Sequence, residues 1–257
     1  MRPDPLMAEL VATLGDQHAE LRSILDGLDG AAWHRASRCD GWDVADVVLH
    51  LAQTDELALA SAQGRFGDAL AALTAGIGPG EDVDDGAARM VERERGIEPA
   101  ELAARWDAGA RALRDALTTA DPHARVDWVA GPLSVRTLAT TRLAETWIHT
   151  GDVAAAAGLS LEPTPRLRHV ARLAWRTLPY AFNRAGEILH GPVRFDLTGP
   201  GGDRWRFEPD EPAVTTIAGD AVELCLVAAR RLDPSATGLR VTGPDGATVL
   251  ELVRTYA

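Results

Sequence analysis

The sequence predicts two units: a bundle of four long helices over residues 1–160, then a small α+β domain over residues 161–257. Three observations carry this reading. Apolar residues recur at helical spacing through four long segments before Gly158. Pro163 and Pro165 then mark a linker. Beyond it, Val193–Thr198 and Arg204–Phe207 alternate with period two around a Gly-Pro-Gly-Gly turn, the pattern of a β-hairpin.

Leu6, Leu10, Val11, Leu14, Leu21, Leu25 and Leu28 line one face of a first helix from Pro5 to Leu28, which Gly27 and Gly30 end. After a connector from Trp33 to Gly41, Asp43 caps a second helix with Asp46 at the capping-box position, and this helix runs to Gln63. The Gly- and Asp-rich stretch from Gly64 to Gly86, with Gly-Pro-Gly near its centre, reads as a long loop or lid outside the core. Ala87–Arg95 and Pro99–Ala120 form one interrupted helix or two, with Pro99 suited to a first helical turn. Asp121-Pro122 and Gly131-Pro132 bracket a short extended piece, and Val135–Ala157 is the fourth long helix. Past the linker the expected order is a helix over Pro165–Ala185, the hairpin, and a strand over Ala213–Ile217. A helix from Gly219-Asp220 to Arg231, a strand over Leu239–Thr242 and a helix over Ala247–Tyr256 complete it.

A net charge of −12 argues against nucleic acid and anionic membrane as partners. No apolar run approaches the ~18 residues of a membrane span, and the first residues lack a signal-peptide core, so a cytoplasmic protein is expected. All 26 Lys-plus-Arg residues are arginine, so most arginines are read simply as the available cation. Cys39 and Cys225 lie far apart and form no metal-binding spacing, and a disulfide is not expected between them.

The chemistry concentrates in Arg142-Leu-Ala-Glu-Thr-Trp-Ile-His-Thr-Gly-Asp152. At 100° per residue, Arg142, Glu145, His149 and Asp152 fall within a sector of roughly 80°. On the second helix, Asp43, Asp46, His50, Gln53 and Thr54 share a sector of about 100°. A carboxylate and two imidazoles so placed can share one divalent metal, which makes His50, Glu145 and His149 a candidate centre with an open position. The competing reading makes both stripes solvated outer faces, with Glu145 and His149 contributing only ~0.3 kcal/mol as a surface pair. Asp152 is either an acceptor that orients a ligand imidazole or the last polar residue of its helix. His18, His34, His123, His169 and His190 lack ligand spacing and read as core or surface residues.

Gly41-Trp42-x-Val44-x-Asp46-x4-His50-Leu51, with Glu145-x-Trp147-x-His149-x2-Asp152, resembles the mycothiol-dependent maleylpyruvate isomerase family of the DinB-like superfamily of metal-binding four-helix bundles. The resemblance implies a zinc triad on His50, Glu145 and His149; from their places on the two stripes, Asp152 and Gln53 are expected behind it. It also implies a sterol-carrier-like C-terminal α+β domain. Ile217–Arg231 resembles that domain's strand–helix segment, which in the family usually ends in Gly-Arg with the arginine directed to the active site. Here Ala229 stands at the glycine, and Arg230 or Arg231 takes the arginine's place.

The implied partners are a low-molecular-weight thiol, mycothiol, and a small electrophilic, unsaturated acid. At pH 7 a thiol of pKa ~8.5 is about 3% ionised, so complete ionisation at a metal contributes at most ~30-fold, or ~2 kcal/mol. Enzymes need ~8 kcal/mol or more, so positioning and cations must supply the rest, with Arg142 and Arg230 as candidates. In an isomerase the thiolate adds to a conjugated double bond, permits rotation and leaves; in an S-transferase the adduct is the product. A metal–hydroxide hydrolase or lyase, and a metal-stabilised small-molecule-binding protein, are the alternatives. Zinc suits the ligands best, and nickel or iron fits the same triad.

Overall fold

The polar stripes of the second and fourth long helices face inward. In the computed structural model, which describes residues 4–78, 80 and 82–255, the chain divides into two units, Met1–Leu161 and Glu162–Ala257.

The first unit is built on α1 (Pro5–Asp26), α2 (Val44–Ala62), α5 (Pro99–Thr119) and α6 (Val135–Ala157). Helix α2 packs on α5 and α6, and α1 packs on the same two. The ends follow from local chemistry. Asp4 caps α1 by accepting from the Met7 N–H at 2.9 Å. Asp43 and Asp46 form the expected reciprocal capping box at α2. Ser134 caps α6, which ends where Gly158 turns left-handed at φ 74°.

The stretch expected to be loop holds two helical pieces. α3 (Phe66–Leu73) contributes no buried residue, in keeping with a position outside the core. α4 (Val83–Glu94) starts earlier than expected because Asp82 caps it by accepting from the Asp85 N–H. Pro79, in the Gly-Pro-Gly, lies outside the described residues, as does Tyr256 at the end of the expected closing helix. The extended piece between the two proline turns is a short antiparallel pair, β1 (Arg125–Val126) with β2 (Leu133–Ser134).

The second unit places β3 (Val193–Thr198), β4 (Arg204–Phe207), β5 (Thr215–Asp220) and β6 (Arg240–Thr242) in one sheet of order β4-β3-β5-β6. β3 is antiparallel to β4 and parallel to β5, and β5 is antiparallel to β6. The hairpin matches the alternation in the sequence. β5 starts later than expected, beyond an exposed Val214, and runs through Gly219 because its pairing with β3 extends to Thr198–Asp220. The single helix expected over Pro165–Ala185 is two, α7 (Leu167–Arg176) and α8 (Leu178–Ala185), since Pro179 cannot donate within a continuous helix. α9 (Ala221–Ala228) and α10 (Gly246–Leu252) complete the unit. Among the described residues no helix is long and apolar enough to cross a membrane.

Within the bundle the apolar core falls into two clusters. One gathers Leu21, Val47, Leu51, Leu102, Trp106 and Val153; the other gathers Leu10, Leu14, Ala58, Leu113, Leu138 and Leu143. Along the chain, the stretches between the two clusters carry buried polar residues: Gln17 and His18 on α1, Gln53 and Asp55 on α2, and Glu145, Thr146, His149 and Thr150 on α6. Burial holds His18 neutral, with the Arg114 and Arg142 cations adding to the effect, and lowers its pKa from 6.5 to about 3. Between those values the unfolded chain binds a proton that the folded chain refuses, so stability must fall as the pH drops from 6.5 towards 3. The expected loss is up to roughly 4 kcal/mol at ~1.36 kcal/mol per pKa unit. Denaturant melts across that window should show it, and His18→Gln should flatten the slope; parallel curves for the two proteins would contradict this assignment.

Candidate metal centre

His50 comes from the middle of α2, Glu145 and His149 from the middle of α6, so two packed helices supply all three side chains. His50 Nε2 lies 3.5 Å and His149 Nε2 3.7 Å from the same oxygen, Glu145 Oε2. Ligand bonds of ~2.1 Å at tetrahedral angles place donor atoms roughly 3.4 Å apart, so this spacing fits one ion at the centre. One donor atom from each residue lies within 4.8 Å of the others, and all three residues are buried. Glu145 Oε1 and His50 Nδ1 are buried without a hydrogen-bond partner, an arrangement costly in a bundle core. A cation bound by Glu145 relieves part of that cost. The donor set of two imidazoles and a carboxylate is that of an open zinc site. The stripes are therefore not solvated faces.

The electrostatics agree. Burial opposes ionisation of Glu145, but hydrogen bonds from His149 and His50 outweigh it and bring its pKa to about 2. Burial keeps His50 on the neutral side, only partly offset by Glu145. For His149 burial is again opposed, here by bonds to Asp152, Cys39 and Glu145, and its pKa rises well above the usual value. The His149 ring lies between the Glu145 and Asp152 carboxylates, and both favour its charged form.

Asp152 takes the orienting position: its Oδ2 lies 3.0 Å from His149 Nδ1, which directs Nε2 towards Glu145. The Cys39 thiol adds a bond to the same oxygen at 3.5 Å and lies 3.9 Å from His149 Nδ1. Cys39, His149 and Asp152 thus form a second group able to approach a cation, on the other edge of the same ring. Trp42 packs on the His50 ring at 5.2 Å, so one connector reaches both histidines. Nothing in the spacing of Cys39 marks it, because it reaches α6 only through the fold.

Two expected residues are placed otherwise. The Gln53 amide donates to the Met90 carbonyl and to Glu94, so it is held by α4 rather than by a ligand of the triad. Arg142 is 1% exposed; it donates from Nε to Asp55 and from Nη2 to Thr54, both at 2.9 Å. Asp55, on the neighbouring helix, draws the guanidinium into the core, away from the expected role as a cation facing substrate. In the second unit, Arg230 is left-handed at φ 59° just past the end of α9, the position that glycine normally takes.

A helical bundle holding a buried His/Glu/His centre, followed by a small mixed sheet, defines the class. Residues 14–154 match the mycothiol maleylpyruvate isomerase N-terminal domain, and the chain belongs to that family. Two uncharacterised proteins of Mycobacterium tuberculosis, from two strains, are each 31% identical over 99% of this chain and 96% of their own length. Crystal structures of mycothiol-dependent maleylpyruvate isomerase and of a mutant of it share the fold, at TM-score 0.59 and 15% identity over 93% of this chain and 95% of theirs.

If Asp152 orients His149, Asp152→Asn should weaken metal binding about 10- to 100-fold, as removal of such partners usually does. Apparent affinity should also fall about tenfold per pH unit where His149 carries the competing proton. Competition titrations against a chelator at several pH values measure both; unchanged affinity in Asp152→Asn would contradict the assignment.

Proposed function

We propose that this chain is a metal-dependent enzyme that uses a low-molecular-weight thiol, mycothiol, to act in the cytoplasm on a small electrophilic, unsaturated acid as an isomerase or S-transferase. The observation that carries the reading is the convergence of His50, Glu145 and His149 on a point suited to one ion, in a chain of this family. Zinc is the ion best matched to these donors. When bound, it supplies a positive centre that holds a thiol as thiolate at neutral pH.

The side chains divide the remaining work. Glu145 keeps its charge against burial and offsets that of a dication. Asp152 fixes the His149 tautomer and ring. The apolar clusters on either side keep His50, Glu145 and His149 buried, which strengthens each electrostatic contact. For the C-terminal arginine, the left-handed backbone at Arg230 is a conformation that favours glycine, so we read Arg230, in place of Ala229, as standing at the glycine of the family's Gly-Arg ending and Arg231 at its arginine. Arg230→Gly should then stabilise the protein by ~1 kcal/mol with turnover retained. Chemical melts and steady-state rates compare it with the wild type; loss of turnover in Arg230→Gly would reverse the assignment.

The function is tested by elemental analysis of protein purified without a histidine tag, followed by titration with mycothiol and with a simple thiol. We expect about one divalent metal per chain and preferential mycothiol binding that His50→Ala abolishes. Metal-dependent turnover without thiol would replace the reading with a hydrolase or lyase. Metal with neither thiol affinity nor turnover would leave a binding protein.

A further inference from the structure

Beside the triad lies a second set of polar and charged groups that the chemistry above does not use, with one residue from each of the four bundle helices. Arg114 on α5 donates from Nη1 to His18 Nδ1 on α1. That bond makes Nδ1 the acceptor and leaves the ring proton on Nε2, which faces Asp55 Oδ2 on α2 at 4.0 Å. The other oxygen of Asp55 accepts from Arg142 Nε on α6 at 2.9 Å. Arg142 also donates to the Thr54 hydroxyl, which in turn donates to the His50 backbone carbonyl at 2.7 Å. The chain of contacts begins at a part-buried arginine and ends on the residue that supplies the α2 ligand.

Its placement is what a positioning device needs. Arg142 lies three residues before Glu145 and seven before His149 on α6; Thr54 and Asp55 lie four and five residues after His50 on α2. The guanidinium therefore ties α2 to α6 about one turn from the ligands, with two bonds from a rigid planar group to two adjacent residues. Two such bonds fix both rotation and sliding of one helix against the other, and ligand spacing depends on both. A buried pair of this kind adds little to stability compared with an apolar pair, so its retention in a packed core suits a role in register.

We propose that Asp55 and Arg142, linked through Thr54 to His50, are positioning residues that set the spacing of His50 against Glu145 and His149. The proposal rests on the metal-binding reading above and extends it to residues that touch no ligand.

The test is cobalt(II) binding, followed through the visible absorption of the ion, in the full chain. Single removal of either charge strands the other, so the main variant is the double Asp55→Leu/Arg142→Met, with folding checked by circular dichroism and melting. Folded double variant is expected to bind cobalt about 10- to 100-fold more weakly, with a shifted absorption band. Thr54→Val removes only the hydroxyl link at nearly constant volume, and is expected to weaken binding about fivefold, the equivalent of one ordinary hydrogen bond. Arg142→Lys keeps the charge but not the fork, so the wild-type spectrum should not return. Wild-type affinity and spectrum in the double variant overturn the proposal; if it fails to fold, wild-type values in Thr54→Val do so. A wild-type protein that binds no cobalt overturns the metal reading itself, and this proposal with it.

Discussion

A charge can be kept inside a helical bundle only when an opposite charge or a dense set of hydrogen bonds meets it, and that constraint shapes the first unit. Water is excluded by the apolar clusters, so an unpartnered ion there costs several kcal/mol. The bundle nevertheless buries His18, Asp55, Arg142, Glu145, His149 and Asp152. Most of their charges are matched in place: Asp55 by Arg142, Asp152 by His149. Glu145 Oε1 and His50 Nδ1 are among the buried polar atoms left without a hydrogen-bond partner, as are Asp55 Oδ2 and His18 Nε2 in the same bundle. A divalent ion held by His50, Glu145 and His149, as proposed, would give Glu145 and His50 the partner they lack.

The long helices and the hairpin were legible in the sequence because each is set locally. Asp43 and Asp46 cap α2 whatever packs against it, Gly158 stops α6, and the alternation of Val193–Thr198 fixes which side chains the sheet buries. The errors fell where tertiary contacts or single residues overrode the pattern. Asp82 nucleates α4 inside a stretch whose glycines suggest loop, Pro179 divides a continuous helical periodicity, and pairing with β3 decides where β5 ends.

The candidate site was legible in part for the same reason. Glu145 and His149 share a face by helical spacing alone, and His50 stands out as a ligand-type residue on a second stripe. Whether those stripes faced solvent or core depended on packing, which periodicity does not specify. Arg142 reads as a catalytic cation only until Asp55 is known to lie beside it, and Gln53 reads as a neighbour of His50 only until α4 is in place. Cys39 and His18 had no spacing to mark them; each gains its partners from a helix distant in sequence.

The two groups that meet at His149 offer different donor atoms at different edges of one ring, and the shell of atoms around a bound metal distinguishes them directly. Zinc-edge X-ray absorption on the purified protein should show imidazole nitrogens and carboxylate oxygen at ~2.0–2.2 Å and no sulfur before thiol is added. A sulfur scatterer at ~2.3 Å in that thiol-free sample would place the ion on Cys39 instead and contradict the account.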